Sequence, residues 1–268
     1  MKNFSIIGAG NLAFTYSKAF TSIEYQLEYV YNRDPQKGQH LTEQISGSKY
    51  TENLLPLLES DFVFLTISDN AIQEIVNKLT NIISSTKKNK YPIFVHCSGS
   101  TPINVFSPLD NYNISYGVLY PLMTITKDQQ VDFKEVPFFI EGNSEDTVKQ
   151  LGNIAANLGA KSTICNSEKR LKLHLAGVFA CNFTNYVLDL AYELDKDNYN
   201  YLFPTTLEMI QKCFRHPPKD VRTGPAIRED YNTIEKHKAL LQDSGYNEQL
   251  EIYNLLTNNI INRKNGKL

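Results

Sequence analysis

The 268-residue sequence has little of what marks several large classes of protein. Its four cysteines, Cys97, Cys165, Cys181 and Cys213, stand alone, with no CxxC pair and no histidine at ligand spacing. Neither a structural zinc nor any other metal site is therefore expected. Charge of one sign is not in excess: the formal net charge is −2 and the lysines are scattered, which leaves no basic face for nucleic acid. No apolar run approaches the roughly 20 residues that span a bilayer, so a soluble protein is expected, with no membrane partner. The first strand begins at Phe4, leaving no room for a signal peptide; with unpaired cysteines this predicts a cytoplasmic protein with reduced thiols. No internal repeat or low-complexity tract stands out. What is present is ordinary for a globular chain: 41% apolar residues, enough for a core in one large domain or two modest ones.

The most informative stretch is the first fourteen residues, MKNFSIIGAGNLAF. The apolar run Phe4 to Ile7 stops at Gly8-Ala9-Gly10, and a helix-compatible segment starts at Asn11: strand, tight turn, helix. Such a turn needs Gly8 because the backbone leaves the strand in a conformation a side chain obstructs. It needs Gly10 because a Cβ there would hold a pyrophosphate off the backbone, and Ala13 is an allowed small third residue. Anions sit at a helix N-terminus, where free N–H groups and the positive dipole end converge. A dinucleotide is the expected ligand, with Gly8, Gly10, Asn11 and Leu12 around it. Leu27 to Tyr31 reads as the second strand, and Asn32-Arg33 follows where an NAD site has an acid. A guanidinium suits a 2′-phosphate, so NADP is expected over NAD; Asp34 next door is still able to reach a ribose.

Further along, Asp61 to Ile67 and Tyr91 to His96 are apolar runs of the kind buried in a parallel sheet. In a doubly wound sheet the carboxyl ends of strands face the ligand. That places Ile67-Ser68-Asp69 and Cys97-Ser98-Gly99 beside the cofactor, although Ser68 to Asn70 read equally well as helix caps alone. His96 reads as a hydrogen-bonded core histidine. Strands around Ile114 to Leu119 and Val136 to Ile140 extend the sheet, the helix Ser144 to Leu158 is marked at both ends, and Lys161 to Cys165 is a last edge strand. From Ser167 a helix runs uninterrupted to about Leu194, with more helices to the end. The predicted fold is α/β: a Rossmann-type, doubly wound, mostly parallel sheet over residues 1–165, then an all-helical domain over 166–268. Apolar residues spread around the 167–194 helix, Leu171, Leu175, Val178, Phe179 and Val187 among them, predict a homodimer built on that domain.

The motifs in order resemble a known group: Gly8 to Ala13, His96 to Ser100, Gly117 with Tyr120-Pro121-Leu122-Met123-Thr124, His174 with Asn182, and Thr223 to Asp230. They are similar to those of the Rossmann-like proteins with a helical C-terminal domain of unknown function. That branch belongs to the superfamily of pyrroline-5-carboxylate reductase, 6-phosphogluconate dehydrogenase, the β-hydroxyacid dehydrogenases and the deazaflavin-dependent NADP oxidoreductases. The resemblance implies a dimerising helical domain and an active site between the domains, taking hydride to or from a small polar C=O, C=N or deazaflavin substrate. Pro121, Met123, Thr124, Thr223, Gly224 and Arg228 are then expected at the substrate. Arg228 reads equally as a surface partner of Glu229 or Asp230. The β-hydroxyacid dehydrogenases place a lysine four residues before the asparagine, and here that position is Val178. His174, two turns before Asn182, is the candidate to handle the proton instead, with Ser98 and Asn182 beside it. The same histidine serves equally as a hydrogen-bonded structural residue. The missing lysine favours a protein of another class, one that binds or senses NADP(H) without turnover.

Overall fold

Short apolar runs build the strands, and in the structure, a computed structural model that describes residues 1–126 and 131–267, they join into one sheet. Strands β1 (Asn3–Ile7), β2 (Gln26–Tyr31), β3 (Lys49–Thr51), β4 (Phe62–Leu65), β5 (Ile93–His96), β6 (Tyr116–Pro121), β7 (Phe138–Gly142) and β8 (Ser162–Ile164) lie in the order 3-2-1-4-5-6-7-8. Neighbours are parallel except β6 and β7. Side chains of a strand alternate between its faces, and in the central strands β4, β5 and β6 both faces are buried, whereas the edge strand β8 is exposed. Phe62 and Phe64 enter one core with Phe4, Tyr16 and Phe20, whereas Val63 and Leu65 enter a second with Ile72, Val76 and Leu79. The first core is aromatic: Phe64 lies edge-on to Phe4 at 6.1 Å and tilted against Phe20 at 5.0 Å.

Helices α1 (Asn11–Ser22), α2 (Pro35–Glu43), α3 (Asp69–Ser85) and α4 (Glu145–Asn157) connect the strands. Ser144 accepts a hydrogen bond from the Thr147 amide and Gly159 takes a φ of +75°, so α4 is closed at both ends as its sequence predicts. Helix α2 and strand β3 occupy a polar stretch where no element was predicted. Because β1 pairs with β2 on one side and β4 on the other, the chain order reverses between β1 and β4, opening a crevice at their carboxyl ends. This is a Rossmann-type doubly wound fold followed by helices.

The chain divides into two compact units, Met1–Asn182 and Phe183–Leu268, so the division falls beyond residue 165, where the sequence placed it. The first unit therefore keeps helix α5 (Ser167–Gly177) and most of the π-helical turn Val178–Phe183 that follows it. The second holds α6 (Thr184–Leu194), α7 (Phe203–Arg215), the short α8 (Pro225–Arg228), α9 (Tyr231–Asp243) and α10 (Asn247–Lys264). The predicted long helix from 167 to 194 is thus helical throughout but widened once. Among the described residues, no helix is long and apolar enough to cross a membrane.

Candidate functional site

The turn after β1 closes as the glycines require. Gly8 has a φ of +109°, donates to the Tyr31 carbonyl at 2.8 Å, and a Cβ on it would meet the Thr66 carbonyl at 2.7 Å. Gly10 is different: a Cβ there would meet nothing within 4 Å, because it points into open space at the start of α1. That space belongs to a crevice of about 520 Å³, whose lining includes Gly8, Gly10, Asn11, Asn32, Arg33, Ile67 and Ser68. These predicted cofactor residues are brought together; Lys37, which the sequence reading passed over, lines the crevice too. Lys37 lies in the first turn of α2, just after Arg33, and its ammonium is 3.7 Å from the Asp34 carboxylate. Asp34 is committed elsewhere: its carboxylate caps α2, accepting from the Gln36 amide at 3.1 Å and the Lys37 amide at 3.4 Å. The residues thus fit a dinucleotide with an anionic group near Arg33 and Lys37, and an uncrowded backbone for the pyrophosphate.

Leu12 and Cys97 were also expected at the cofactor, but their side chains pack in or against the aromatic core. Burial pushes the Cys97 thiol pKa up, against the opposing effect of its hydrogen bond with Tyr16, so it stays protonated.

Next along the same sheet edge, the registers of β4 with β5 and β5 with β6 align Leu65, His96 and Val118. The residues just beyond them form a second cluster. His96 is wholly buried; burial and the nearby Arg170 charge lower its pKa to about 3, so it is neutral. Its Nδ1 accepts from the Ser98 amide at 3.2 Å. Ser98 Oγ accepts from the amides of Ser100 at 3.1 Å and Thr101 at 2.9 Å, and the Ser100 hydroxyl donates to Asp69 at the start of α3. Ser68 takes N-cap geometry, yet its side chain makes no cap bond.

Over this loop lies His174. Its Nδ1 is 3.1 Å from the Tyr120 hydroxyl, and the two rings close on Gly99, where a Cβ would come within 2.7 Å of His174 and 2.8 Å of Tyr120. His174 is half-buried. Burial raises the Tyr120 pKa; Arg170 opposes that rise and Asp69 adds to it. Arg170, one turn before His174 on α5, is wholly buried. It is paired with Glu141 and donates to the Thr101 carbonyl at 2.7 Å and to Ser167 Oγ at 3.2 Å. Ser167 Oγ also accepts from the Ile103 amide and donates to Glu141, and Asn166 caps α5, accepting from the Lys169 amide at 2.9 Å. Asn182 is exposed in the π turn. Two α-turns take about 7 residues, and a π turn admits one more, which keeps an eight-residue spacing near one face. Pro121 is buried at the end of β6, Met123 half-buried and Thr124 exposed. Thr223, Gly224 and Arg228 lie in the second unit, with Gly224 at a φ of +101° and Arg228 exposed on the short α8.

Tyr120 and Arg170 were missed as site residues for different reasons. Tyr120 stood in a noted motif, but its partner is 54 residues away. Arg170 carries a usable signal, lying four residues before His174 on one helix face.

Residues 136–260 match the family model "Domain of unknown function (DUF2520)". Among curated proteins, none matches the sequence. A solved Bacteroides fragilis protein, described as a candidate NADP oxidoreductase, is 34% identical over 97% of this chain and 98% of its own, with a TM-score of 0.83. An imine reductase of Streptomyces aurantiacus shares 14% identity over 94% and 93% of the two chains, at a TM-score of 0.65. A pyrroline-5-carboxylate reductase of Coxiella burnetii shares 15% over 99% and 98%, at 0.54. The last two likenesses are of fold.

Proposed function

The chain belongs to the family of Rossmann-type proteins with a helical C-terminal domain of unknown function, and from that premise we propose that it is an NADP-dependent oxidoreductase. Its substrate is a small polar molecule with a reducible C=O or C=N bond, or a deazaflavin. The observation that carries the reading is the crevice at the β1–β4 reversal: Gly10 is bare toward it, and Arg33 and Lys37 line it. Asp34, the nearest acid to the 2′ position by sequence, is held in the α2 cap. The bound dinucleotide would supply hydride; this chain's residues hold it, orient the substrate and manage the proton. Strands two apart in a sheet lie roughly 10 Å from one another, a separation that an extended dinucleotide spans, and this supports a role for the Ser98 loop.

The test is a titration with NADPH and NADH. Arg33→Ala is expected to weaken NADPH binding by about 1–3 kcal/mol, the scale of a charge-assisted hydrogen bond, and to leave NADH nearly unchanged. Equal losses for both cofactors overturn the assignment. One observation favours a second reading, an NADP(H)-binding protein without turnover: Val178 occupies the place of the dehydrogenase lysine. NADPH oxidation screened against imines, 2-keto acids, 3-keto acids and a deazaflavin separates the two. The second unit we read as the seat of a homodimer, for the apolar side chains it leaves in solvent.

A further inference from the structure

We propose that Tyr120 is a positioning and proton-relay partner of His174, holding the imidazole so that its Nε2 carries the proton offered to the substrate heteroatom. This deepens the oxidoreductase reading and rests on it. Three observations on β6, α5 and the loop after β5 carry it.

The first is the pairing itself, 3.1 Å between the Tyr120 hydroxyl and His174 Nδ1. Among the described residues that nitrogen is the only hydrogen-bond partner of the hydroxyl, which belongs to a residue 9% exposed. If the hydroxyl accepted a bond from Nδ1–H, its own proton would have no acceptor among the described residues, at the cost of an unmade bond. We therefore assign the phenol as donor, which in a neutral imidazole puts the ring hydrogen on Nε2.

The second is Gly99. Any side chain there would strike both rings, so the loop is shaped to let this pair close above it. The third is the surroundings. The charged groups acting on Tyr120 are Arg170 of α5 and Asp69 of α3, while Glu141 of β7 is paired with Arg170. Burial keeps the phenol protonated in the resting protein. When the substrate's double-bond electron pair collects on its heteroatom, as its carbon takes the hydride, the Nε2–H bond breaks and a bond from that proton to the heteroatom forms. In the same movement the Tyr120 O–H bond breaks and an Nδ1–H bond forms. The ring ends neutral in its other tautomer, and the negative charge rests on the Tyr120 oxygen, where Arg170 favours it. After the product leaves, Nε2 takes a proton from solvent and the Nδ1 proton returns to the Tyr120 oxygen, which restores the resting pair.

The experiment begins on cofactor-free protein, with nitrogen NMR of His174 at about pH 8.5, well above the ordinary imidazole value. The expected wild-type spectrum has Nε2 protonated and Nδ1 unprotonated but hydrogen-bonded. In Tyr120→Phe, which keeps the ring and removes only the hydroxyl, Nδ1 should move to the value of a free acceptor, and Gly99→Ala should do the same by prising the rings apart. A protonated Nδ1 in the wild type, or a Tyr120→Phe spectrum that does not move, overturns the inference. With a substrate in hand, Tyr120→Phe should lower kcat about 10- to 100-fold with KM and NADPH affinity unchanged. An unchanged kcat overturns the relay and leaves the oxidoreductase reading standing. A wild type that binds no NADPH overturns the oxidoreductase reading, whatever the NMR shows.

Discussion

The two units use apolar side chains in opposite ways. In the first, strand residues alternate into two sealed cores, and Phe4, Phe62, Phe64 and Phe94 are fully buried. In the second, buried apolar side chains are few, chiefly Leu190, Ala226, Ile234 and Leu241, while larger ones stand in solvent. Helix α7 makes the contrast plainest. Phe203, Leu207, Ile210 and Phe214 recur at helical spacing on one stripe, as core residues do, yet Phe203 is 68% exposed and Phe214 83%. The α7 stripe is patterned for burial and left open in the single chain, whereas the strand residues of the first unit are covered by their own chain. Large exposed apolar patches mark surfaces that meet something else.

The contrast breaks most sharply in the aromatic core. Phe64→Ala removes a ring packed against Phe4, Phe20, Phe62 and Tyr16, and should cost about 3–5 kcal/mol, read from the denaturant midpoint. A cost under about 1 kcal/mol would mean that the first unit is looser than its burial indicates.

Arg170→Met comes next. Removing one partner of a buried pair costs roughly 3–5 kcal/mol because the other charge is stranded; here the lower end is expected, since Glu141 retains 16% exposure and can recover some water. The double change Arg170→Met with Glu141→Gln should regain much of that loss. If it regains none, the guanidinium matters through its bond to the Thr101 carbonyl instead, which thermal melts of the two variants will separate.

The same contrast explains what was legible in the sequence. The sheet was legible because alternation and buried runs are local: Phe62 to Leu65 announces a strand whatever surrounds it. The first turn was legible because Gly8 and Gly10 answer to backbone geometry. Helix α2 was not, although Asp34 as cap and Pro35 at the first helical position are proper start signals, because its later residues are polar and lack a clear stripe. Strand β3 has only three residues, too few for a period to show. The π turn widens a helix by one residue without any side-chain signature, and the division at Asn182 depends on how α5 packs. Of the candidate site, the glycine turn and Arg33 were readable singly. The Tyr120, Gly99 and His174 contact needs three distant segments to meet.

The smallest effect on stability, and the finest test of the contrast, belongs to Phe214→Ser. With Phe214 83% exposed, the folded single chain makes little use of its ring, so monomer stability should change by no more than about 0.5 kcal/mol. If the α7 stripe is covered by a second copy, the ring is instead part of a buried interface, where loss of a large aromatic anchor costs on the order of 2 kcal/mol or more in association. The two expectations differ in what depends on protein concentration. Sedimentation of wild type and variant across a range of micromolar concentrations should show the variant dissociating at least tenfold earlier, since about 1.4 kcal/mol is a factor of ten in an equilibrium constant. Melting of dilute, dissociated samples should then be the same for both proteins. A wild type that sediments as a monomer throughout would remove the homodimer. A variant that melts early even when monomeric would show that Phe214 is buried within its own chain, and that the second unit resembles the first more than its surface indicates.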